Sequence, residues 1–479
     1  MTVSRRAFLG GLLSCSAFVL AGCGGSSAPT PGSTNSSSAG GAAGNSSPSG
    51  SAAPSSAAST SAQPSASVAA SPASSGGAAS AGPIKIGVIL PLTGPQSPVG
   101  KDNQDALNLY LSSVHSTLAG RTIDPLVQDG QFQADVSLTK AKELVENQKA
   151  AALMGFTDTP SGYAVATYVK QSAHVPMLIT DNSGGEGMLT DPKYNSPYLT
   201  RWTQTGAEVD DPAADWAIKQ GYRQAATMVS DFAAGVQNVD LFASAFIRKG
   251  GSIVQEQYSP LGTADFGPYL AKLNKSADVI FVFLPGVDGL RFAQQYPTYV
   301  GQSKAQIIDS FGVITAGSNL AQLKDQAAGI VGVDVFNQGS DDPGTQAFVK
   351  AWQAAYPGRI LSHDCAEGYL SGQIFAAALE KVNGHVENTT EFLQALYGLN
   401  LDTAKGPVHL DQNHDVVQNI YVYRIEKNGS SVAPKVLQTY TNVSDTWDRS
   451  AQELSTFPWN NFKGKWAGMT QAQLSQALK

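Results

Sequence analysis

Residues 84–100 read IKIGVILPLTGPQSPVG, and they hold the clearest local signals of secondary structure in the chain. Ile84–Leu90 is an apolar run of strand length interrupted by Lys85, and the prolines and glycines that follow mark a turn. Over residues 100–115 apolar side chains recur at helical spacing. The stretch therefore predicts a buried strand that passes through a turn into a helix.

The same alternation continues along the chain. Strand-length apolar runs alternate with amphipathic runs of helix length, which predicts βαβ units and parallel sheets. Two such blocks follow one another, so we expect an α/β protein with two doubly wound parallel-sheet lobes. Ligands of open α/β sheets bind beyond the carboxyl ends of the strands, which places the expected site between the lobes. The further predicted strands are residues 123–128, 151–154, 177–180, 226–229, 253–257, 279–284, 306–308 and 330–336.

The N-terminal 22 residues predict an export signal. Arg5 and Arg6 precede an apolar run that is shorter than the roughly 20 residues of a membrane span. The paired arginines resemble a twin-arginine signal, although the general export route stays open. The run ends in Leu-Ala-Gly before Cys23, which resembles a bacterial lipobox, so we expect lipid attachment at Cys23 and less readily at Cys15.

Residues 23–83 contain serine, alanine, glycine and proline in abundance and no charged residue. Such a segment buries too little apolar surface to offset the entropy of ordering it, so we expect a disordered tether. A flexible chain of this length has an end-to-end distance of roughly 45 Å. The folded part would stay near the membrane to which Cys23 is anchored.

Composition excludes several classes of function. The formal net charge of −7 without basic clusters argues against nucleic acid as a partner. The glycine-rich stretch before Lys101 has the wrong spacing for a phosphate-binding loop, and Asp102 stands where such a loop needs serine or threonine. His363, Asp364 and Cys365 are sequence neighbours, which favours a helix start over a catalytic site. We therefore expect no enzyme activity, no catalytic residues, no cofactor and no metal.

Several short motifs, taken in their order along the chain, resemble those of a known family. The ordered set of residues 84–95, Asp129, Arg201, residues 228–235 and residues 406–408 resembles the branched-chain amino acid (Leu/Ile/Val) type of periplasmic binding proteins, which serve ABC importers. The resemblance covers residues 84–429. It implies the type I periplasmic binding fold, with two lobes joined by three hinge crossings, which we place near residues 202–206, 337–341 and 411–415.

The resemblance also implies a division of the chain. Lobe 1 would comprise residues 84–203 and 338–411, and lobe 2 residues 204–337 and 412–431. Residues 432–479 would form a C-terminal extension whose aromatic residues pack onto a lobe or, alternatively, form a partner surface. These aromatic residues are Trp447, Phe457, Trp459, Phe462 and Trp466.

Ligand-contacting positions carry over from the family one by one. Thr159 matches a hydroxyl at a helix start that holds the ligand carboxylate, and the segment after the fourth strand completes that pocket. Hydroxyls and free amides at helix N-termini can hold an anion without a counter-charge, but they equally serve as helix caps. The matching ligand positions in this chain are Val99, Thr159, Thr180, Asn182, Ser183, Phe232, Gly286 and Phe311.

Departures from the family bear on the ligand. Phe311 stands where amino-acid binders carry the carboxylate that pairs with the ligand ammonium, and an unpaired ammonium in a closed cleft is costly. Asp231, Asp288 or Asp309 could supply that charge instead. Phe232 and Phe311 could alternatively stack on an aromatic ring, or Phe311 could belong to the core. An aromatic carboxylate and an amino-acid-like ligand both stay open.

These observations lead to a functional expectation. We expect a monomeric, extracytoplasmic solute-binding protein that captures a small carboxylate-bearing molecule by hinge closure and delivers it to an ABC permease. It would contact the membrane through the lipid anchor alone. A ligand-sensing receptor of the same fold, and less readily a tethered hydrolase, are the alternatives.

Overall fold

The computed structural model describes residues 82–181, 185–301, 304–429, 431–458 and 461–478. The expected export signal, the lipidation site Cys23, nearly all of the tether, Asn182, Ser183 and Trp459 lie outside these described residues. Among the described residues, no helix has both the length and the apolar character needed to cross a bilayer.

Strands and helices alternate along the described chain. The strands are β1 (Ile84–Leu90), β2 (Thr117–Leu118), β3 (Arg121–Asp129), β4 (Ala152–Gly155), β5 (Met177–Ile179), β6 (Leu199–Arg201), β7 (Gln224–Ser230), β8 (Ser252–Ser259), β9 (Val279–Phe283), β10 (Gln306–Ser310), β11 (Val331–Asp334), β12 (Asn400–Thr403), β13 (Gly406–Leu410), β14 (Val416–Asn428) and β15 (Ser431–Val443). The helices are α1 (Ser97–Ser113), α2 (Ala134–Lys142), α3 (Thr159–Tyr168), α4 (Gly206–Lys219), α5 (Ala233–Arg248), α6 (Gly267–Leu270), α7 (Val287–Val300), α8 (Gly317–Leu323), α9 (Pro343–Ala355), α10 (His363–Lys381), α11 (Thr389–Tyr397), α12 (Ala451–Thr456) and α13 (Gln471–Ala477).

The first lobe contains a sheet with the strand order β2-β3-β1-β4-β5-β6. Five of these strands pair in parallel, and β2 forms a short antiparallel hairpin with β3. In β1 all residues except Lys85 are buried, as expected for a strand covered by helices on both faces. Gly87 permits this cover, since a Cβ there would lie 2.7 Å from Leu153 and 2.9 Å from Leu144.

The second lobe contains a mixed sheet with the order β14-β11-β10-β9-β7-β8, in which β15 also pairs with β14. The β12-β13 hairpin joins this sheet through β14 but packs into the core of the first lobe, where Val408 shares a buried cluster with β1. Strands β7 to β11 pair in parallel, whereas β14 runs antiparallel to both β11 and β15. The expectation of a purely parallel sheet is therefore corrected for this lobe. The chain returns to it from the other lobe, so β14 enters in the opposite direction.

The chain passes between the lobes after β6, after β11 and after β13. Helices α9, α10 and α11 pack against the first lobe. Leu370 of α10 and Phe392 of α11 share a buried cluster with β1. Phe348 and Trp352 of α9 share a second buried cluster with α1 and α10. The residue boundaries of the lobes and of the three crossings stay predictions.

The C-terminal segment is built into the second lobe. Strand β15 extends its sheet along most of β14, and Trp466 is fully buried, with its indole N–H donating to Asp240 Oδ1 at 2.7 Å. Trp447, Phe457 and Phe462 pack against the same core cluster, which bears out the expected packing onto a lobe. The predicted extension from residue 432 thus begins inside a strand of the sheet.

A buried ion network joins the lobe crossings to this segment. Arg201 is fully buried at the end of β6 and donates from Nε to Asp415 Oδ1 at 2.8 Å. Its Nη2 also lies 3.2 Å from Asp445 Oδ2, and Asp445 Oδ1 accepts a hydrogen bond from the Thr205 hydroxyl at 2.6 Å. Asp445 follows β15, so the C-terminal segment supplies one carboxylate to the hinge.

Candidate ligand-binding site

A cavity opens between the two lobes at the carboxyl ends of their parallel strands. The empty space inside this cavity, together with the solvent at its opening, has a volume of about 1300 Å³. Helices α1, α3, α5, α7, α8 and α10 all begin at residues on or beside its wall. In an α/β protein the turns between strand and helix carry the ligand contacts, so this is the expected position for a binding site.

The lobes touch each other around this cavity. A Cβ on Gly286 of the second lobe would lie 3.0 Å from the Gln96 side chain of the first lobe. The Gly317 N–H donates to the Leu361 carbonyl at 3.1 Å, again from one lobe to the other. The structure therefore shows the lobes in a closed arrangement.

Three phenylalanines of the second lobe form an aromatic wall. The Phe232 and Phe283 rings are stacked with centroids 6.1 Å apart, and Phe283 and Phe311 are tilted with centroids 5.4 Å apart. All three residues line the cavity. Phe311 has φ of 60°, a backbone conformation that is costly for a bulky side chain and that is found preferentially at functional sites.

The N-terminus of α3 carries the predicted carboxylate contact Thr159, which lines the cavity. Its N-cap residue Asp158 accepts a hydrogen bond from the Ser161 amide at 2.8 Å, and Pro160 has no N–H to offer. The Thr157 hydroxyl donates to Asp181 Oδ2 at 2.6 Å. Part of the expected anion pocket at α3 is thus already used by the protein's own side chains.

Five other helices present N-termini without a side-chain cap to the cavity. Within the described residues, the N-cap side chains of α1, α5, α7, α8 and α10 accept no hydrogen bond from the first turn. The first amides of a helix lack intrahelical partners and carry a partial positive charge. This convergence suits an anion bound without a lysine or arginine, and neither residue type occurs among the described residues of the cavity wall.

The cavity wall also carries acidic side chains. Burial, together with the neighbouring Asp364 and against the opposing effect of Arg359, raises the pKa of Asp102 to about 6. Burial likewise raises the pKa of Asp158 and, more strongly, that of Glu186. These carboxyl groups are therefore more readily neutral than exposed ones, and they offer acceptors to donors of a ligand.

His363 begins α10, as the sequence predicted, and is held by two carboxylates. Its Nδ1 lies 3.1 Å from Asp334 Oδ2 and its Nε2 lies 3.1 Å from Asp364 Oδ1. Burial opposes a charge on the ring, but the two carboxylates prevail and raise the pKa of His363 well above its ordinary value. His363, Asp364 and Glu367 lie close enough together to hold a metal ion, which would have to displace the proton that the two carboxylates stabilise on the imidazole.

The structure brings five of the predicted ligand residues to this one cavity: Val99, Thr159, Phe232, Gly286 and Phe311. It does not bring Thr180 there. Thr180 is fully buried and its hydroxyl accepts a hydrogen bond from the Gly155 amide at 3.2 Å, which gives it a structural role between strands.

The acidic residues considered as partners of a ligand ammonium lie elsewhere. Asp231 pairs with Lys463 outside the cavity wall. Asp288 accepts a hydrogen bond from the Gly262 amide at 2.8 Å, and Asp309 accepts from the Ile314 amide at 2.9 Å. None of the three lines the cavity.

Two hinged α/β lobes that close on a cavity ringed by helix N-termini define a solute-binding protein of the type I periplasmic binding fold. The chain belongs to the periplasmic binding protein family, whose model matches residues 83–430. It is 28% identical over 374 residues to Leu/Ile/Val-binding protein homolog 6 of Brucella melitensis, with 77% of this chain and 94% of that protein covered.

Solved structures of ABC-transporter solute-binding proteins are also similar to this chain. An ABC transporter substrate-binding protein from Sphaerobacter thermophilus is 31% identical, with a TM-score of 0.71 and coverage of 76% of this chain and 99% of that one. A solute-binding protein of an ABC transporter from Rhodopseudomonas palustris BisB5, in complex with 3,4-dihydroxybenzoic acid, is 29% identical, with a TM-score of 0.70 and coverage of 76% and 98%. The chain is therefore a solute-binding protein of the ABC-transporter class.

Proposed function

We propose that this protein is the extracytoplasmic, lipid-anchored receptor of an ABC importer and that it captures a small aromatic carboxylate. The observation that carries the proposal is the composition of the cavity wall. The wall combines a row of three phenylalanines from one lobe with helix N-termini from both lobes, and the described wall contains no lysine or arginine. A flat apolar ring with one carboxylate matches both halves of this wall.

Hinge closure supplies the signal for delivery. A ligand that contacts both lobes stabilises the closed state over the open one, because only the closed state makes both sets of contacts. Thr159 and Val99 belong to the first lobe, whereas Phe232, Gly286 and Phe311 belong to the second. A permease that docks on both lobes would distinguish the loaded form from the empty one.

The relative from Rhodopseudomonas palustris supports the ligand class, since that protein was crystallised with a dihydroxylated benzoic acid. An amino-acid-like ligand is the second candidate, because Asp102, Asp158, Glu186 and Asp364 line the cavity and could pair with an ammonium. Asp102 is already paired with Arg359, and Asp364 with His363. Asp158 caps α3, and burial raises the pKa of Glu186 and so disfavours its charged form, which makes aromatic acids the better match.

A thermal-shift screen of the purified protein tests the ligand class. Benzoate, hydroxybenzoates, leucine, phenylalanine and a sugar are each added in excess, and a ligand at 100 times its Kd stabilises the folded state by about 2.7 kcal/mol. We expect the melting temperature to rise with aromatic acids. A rise with leucine and none with any aromatic acid would assign the protein to the amino-acid binders.

The anchor is tested separately in cells. We expect the full-length protein to fractionate with membranes and a Cys23→Ser variant to be released in soluble form. Membrane association that survives this substitution would contradict the anchor. Genes for a permease and an ATPase beside this one would favour an importer, whereas a sensor kinase gene would favour the receptor alternative.

A further inference from the structure

One asparagine connects two turns of the second lobe that line the cavity. Asn319 Nδ2 donates to the Gly286 carbonyl and to the Val313 carbonyl, each at 2.8 Å. Gly286 lies in the turn between β9 and α7, and Val313 lies in the turn between β10 and α8. A side-chain amide has two N–H groups, so the protein itself engages both donors of Asn319.

The turn between β10 and α8 contains the strained residue of the aromatic wall. Phe311, with φ of 60°, keeps this costly conformation only where the surrounding structure holds it. Asp309 Oδ2 accepts hydrogen bonds from the amides of residues 314 and 315, each at 2.9 Å, and so holds the later part of the turn. Asn319 holds the carbonyl of Val313, two residues after Phe311. Two buried side chains thus keep the turn in the shape that Phe311 requires.

The two turns also pack against each other. A Cβ on Gly289, in the first turn of α7, would lie 3.0 Å from Ile314 Cγ1. Phe283 is the last residue of β9, and the centroid of its ring lies 5.4 Å from that of Phe311. A shift of one turn relative to the other would therefore change the spacing of two rings on the cavity wall.

We propose that Asn319 is a positioning residue for ligand selectivity, which holds the Phe311 ring in place and thereby sets the preference of the cavity for an aromatic ring. This inference rests on the proposed function. Asn319 lines the cavity, but both of its donors are engaged, so it acts on a ligand ring through Phe311. Loss of the amide would leave two carbonyls without this donor and let the strained turn relax, which weakens stacking on Phe311.

Titration calorimetry with benzoate and cyclohexanecarboxylate tests this role, because the two acids share the carboxylate and the ring size and differ in the π system. The measured quantity is the Kd of cyclohexanecarboxylate divided by the Kd of benzoate. For the wild-type protein we expect a ratio of about 2 to 12, the effect of one aromatic contact. In an Asn319→Leu variant we expect this ratio to fall by a factor of about 2 or more. A general loss of affinity affects both acids and cancels from the ratio.

A double variant distinguishes positioning from direct contact with the ligand. Phe311→Leu removes the ring through which Asn319 is proposed to act. Adding Asn319→Leu to that variant should therefore leave its ratio of Kd values unchanged. If the ratio falls further in the double variant, Asn319 acts on the ligand ring independently of Phe311, and the positioning role is overturned.

Gln306→Leu is the matched control. Gln306 begins β10, at the opposite end of this strand from the cavity, and its Nε2 likewise donates to two carbonyls, those of Ile307 at 2.9 Å and Gly329 at 2.8 Å. Its ratio should equal that of the wild type. If Asn319→Leu does not fold, Asn319→Ala replaces it, since alanine favours a helix and also lacks the two donors.

The outcomes separate this role from the proposed function. A preference for benzoate that the Asn319 variant keeps in full, even with a lower melting temperature, overturns the positioning role and leaves the proposed function standing. The same holds if the Gln306 variant loses the preference equally, or if the wild type binds both acids with a ratio near one. Failure of the wild-type protein to bind any aromatic acid overturns the proposed function, and the positioning role with it.

Discussion

Replacing Phe311 by leucine tests the aromatic wall directly. Phe311 is 8% exposed, lies 5.4 Å from the Phe283 ring between centroids, and forms part of the cavity wall. Leucine keeps an apolar side chain of similar reach at this position but removes the ring face on which a ligand ring would stack.

The expected loss follows from the strength of aromatic pairs. Such pairs contribute about 0.5–1.5 kcal/mol beyond the burial of their apolar area. Since 1.4 kcal/mol is a tenfold change in affinity, the Kd of an aromatic carboxylate should rise about 2- to 12-fold in the Phe311→Leu variant. A ligand of equal size without a π system should lose much less.

Isothermal titration of benzoate and cyclohexanecarboxylate measures both effects. Phe242→Leu is the matched control, because Phe242 is fully buried in the same lobe, stacks on Phe281 at 4.2 Å and does not line the cavity. We expect benzoate to lose its advantage over cyclohexanecarboxylate in Phe311→Leu and to keep it in Phe242→Leu. Equal affinity of wild type and Phe311→Leu for benzoate would refute ring stacking and return Phe311 to the core.

Three further predictions concern stability, each measured by chemical or thermal unfolding of the purified protein. Trp466→Ala should lower the free energy of unfolding by about 3–5 kcal/mol, and a loss below 1 kcal/mol would show that the C-terminal segment is not part of the fold. Arg201→Met should cost about 3–5 kcal/mol, because Asp415 and Asp445 would be left buried without their cation; an unchanged midpoint would contradict this. Burial raises the pKa of Asp309 to about 7, so the folded protein holds a proton that the unfolded chain releases above pH 4. This group alone should therefore lower the stability by about 1 kcal/mol between pH 6 and pH 8, and a rise in stability over that interval would be inconsistent with a raised pKa.

Local patterns predicted much of the fold because its parallel strands are continuous apolar runs. The run at residues 279–284 corresponds to β9, and the first predicted strand corresponds to β1. The first predicted helix begins three residues earlier in the structure, since Pro98 fits the first turn of a helix. The antiparallel pairing of β14 was not predictable from local pattern, because its partners are set by how the chain returns between lobes.

The residues of the candidate site likewise include some that the sequence could predict and some that it could not. Phe232, Gly286 and Phe311 follow predicted strand ends, so their place on the cavity wall could be inferred from topology. Glu186, which also lines the cavity, follows no such rule, since it lies in an irregular loop between β5 and β6. Thr180 was assigned to the ligand because its hydroxyl stands at a strand end. In the structure that hydroxyl accepts a hydrogen bond from the neighbouring strand instead.

The pairing of β15 with β14 matters for anyone who wishes to shorten this protein. The family match ends at residue 430, which makes that position a tempting place to stop an expression clone. A chain cut there would leave the 13-residue β14 as a bare sheet edge, open to pairing with other molecules, and would remove the hinge carboxylate of Asp445. Tags and fluorescent reporters are better attached after α13, where the last described helix has already completed the second lobe.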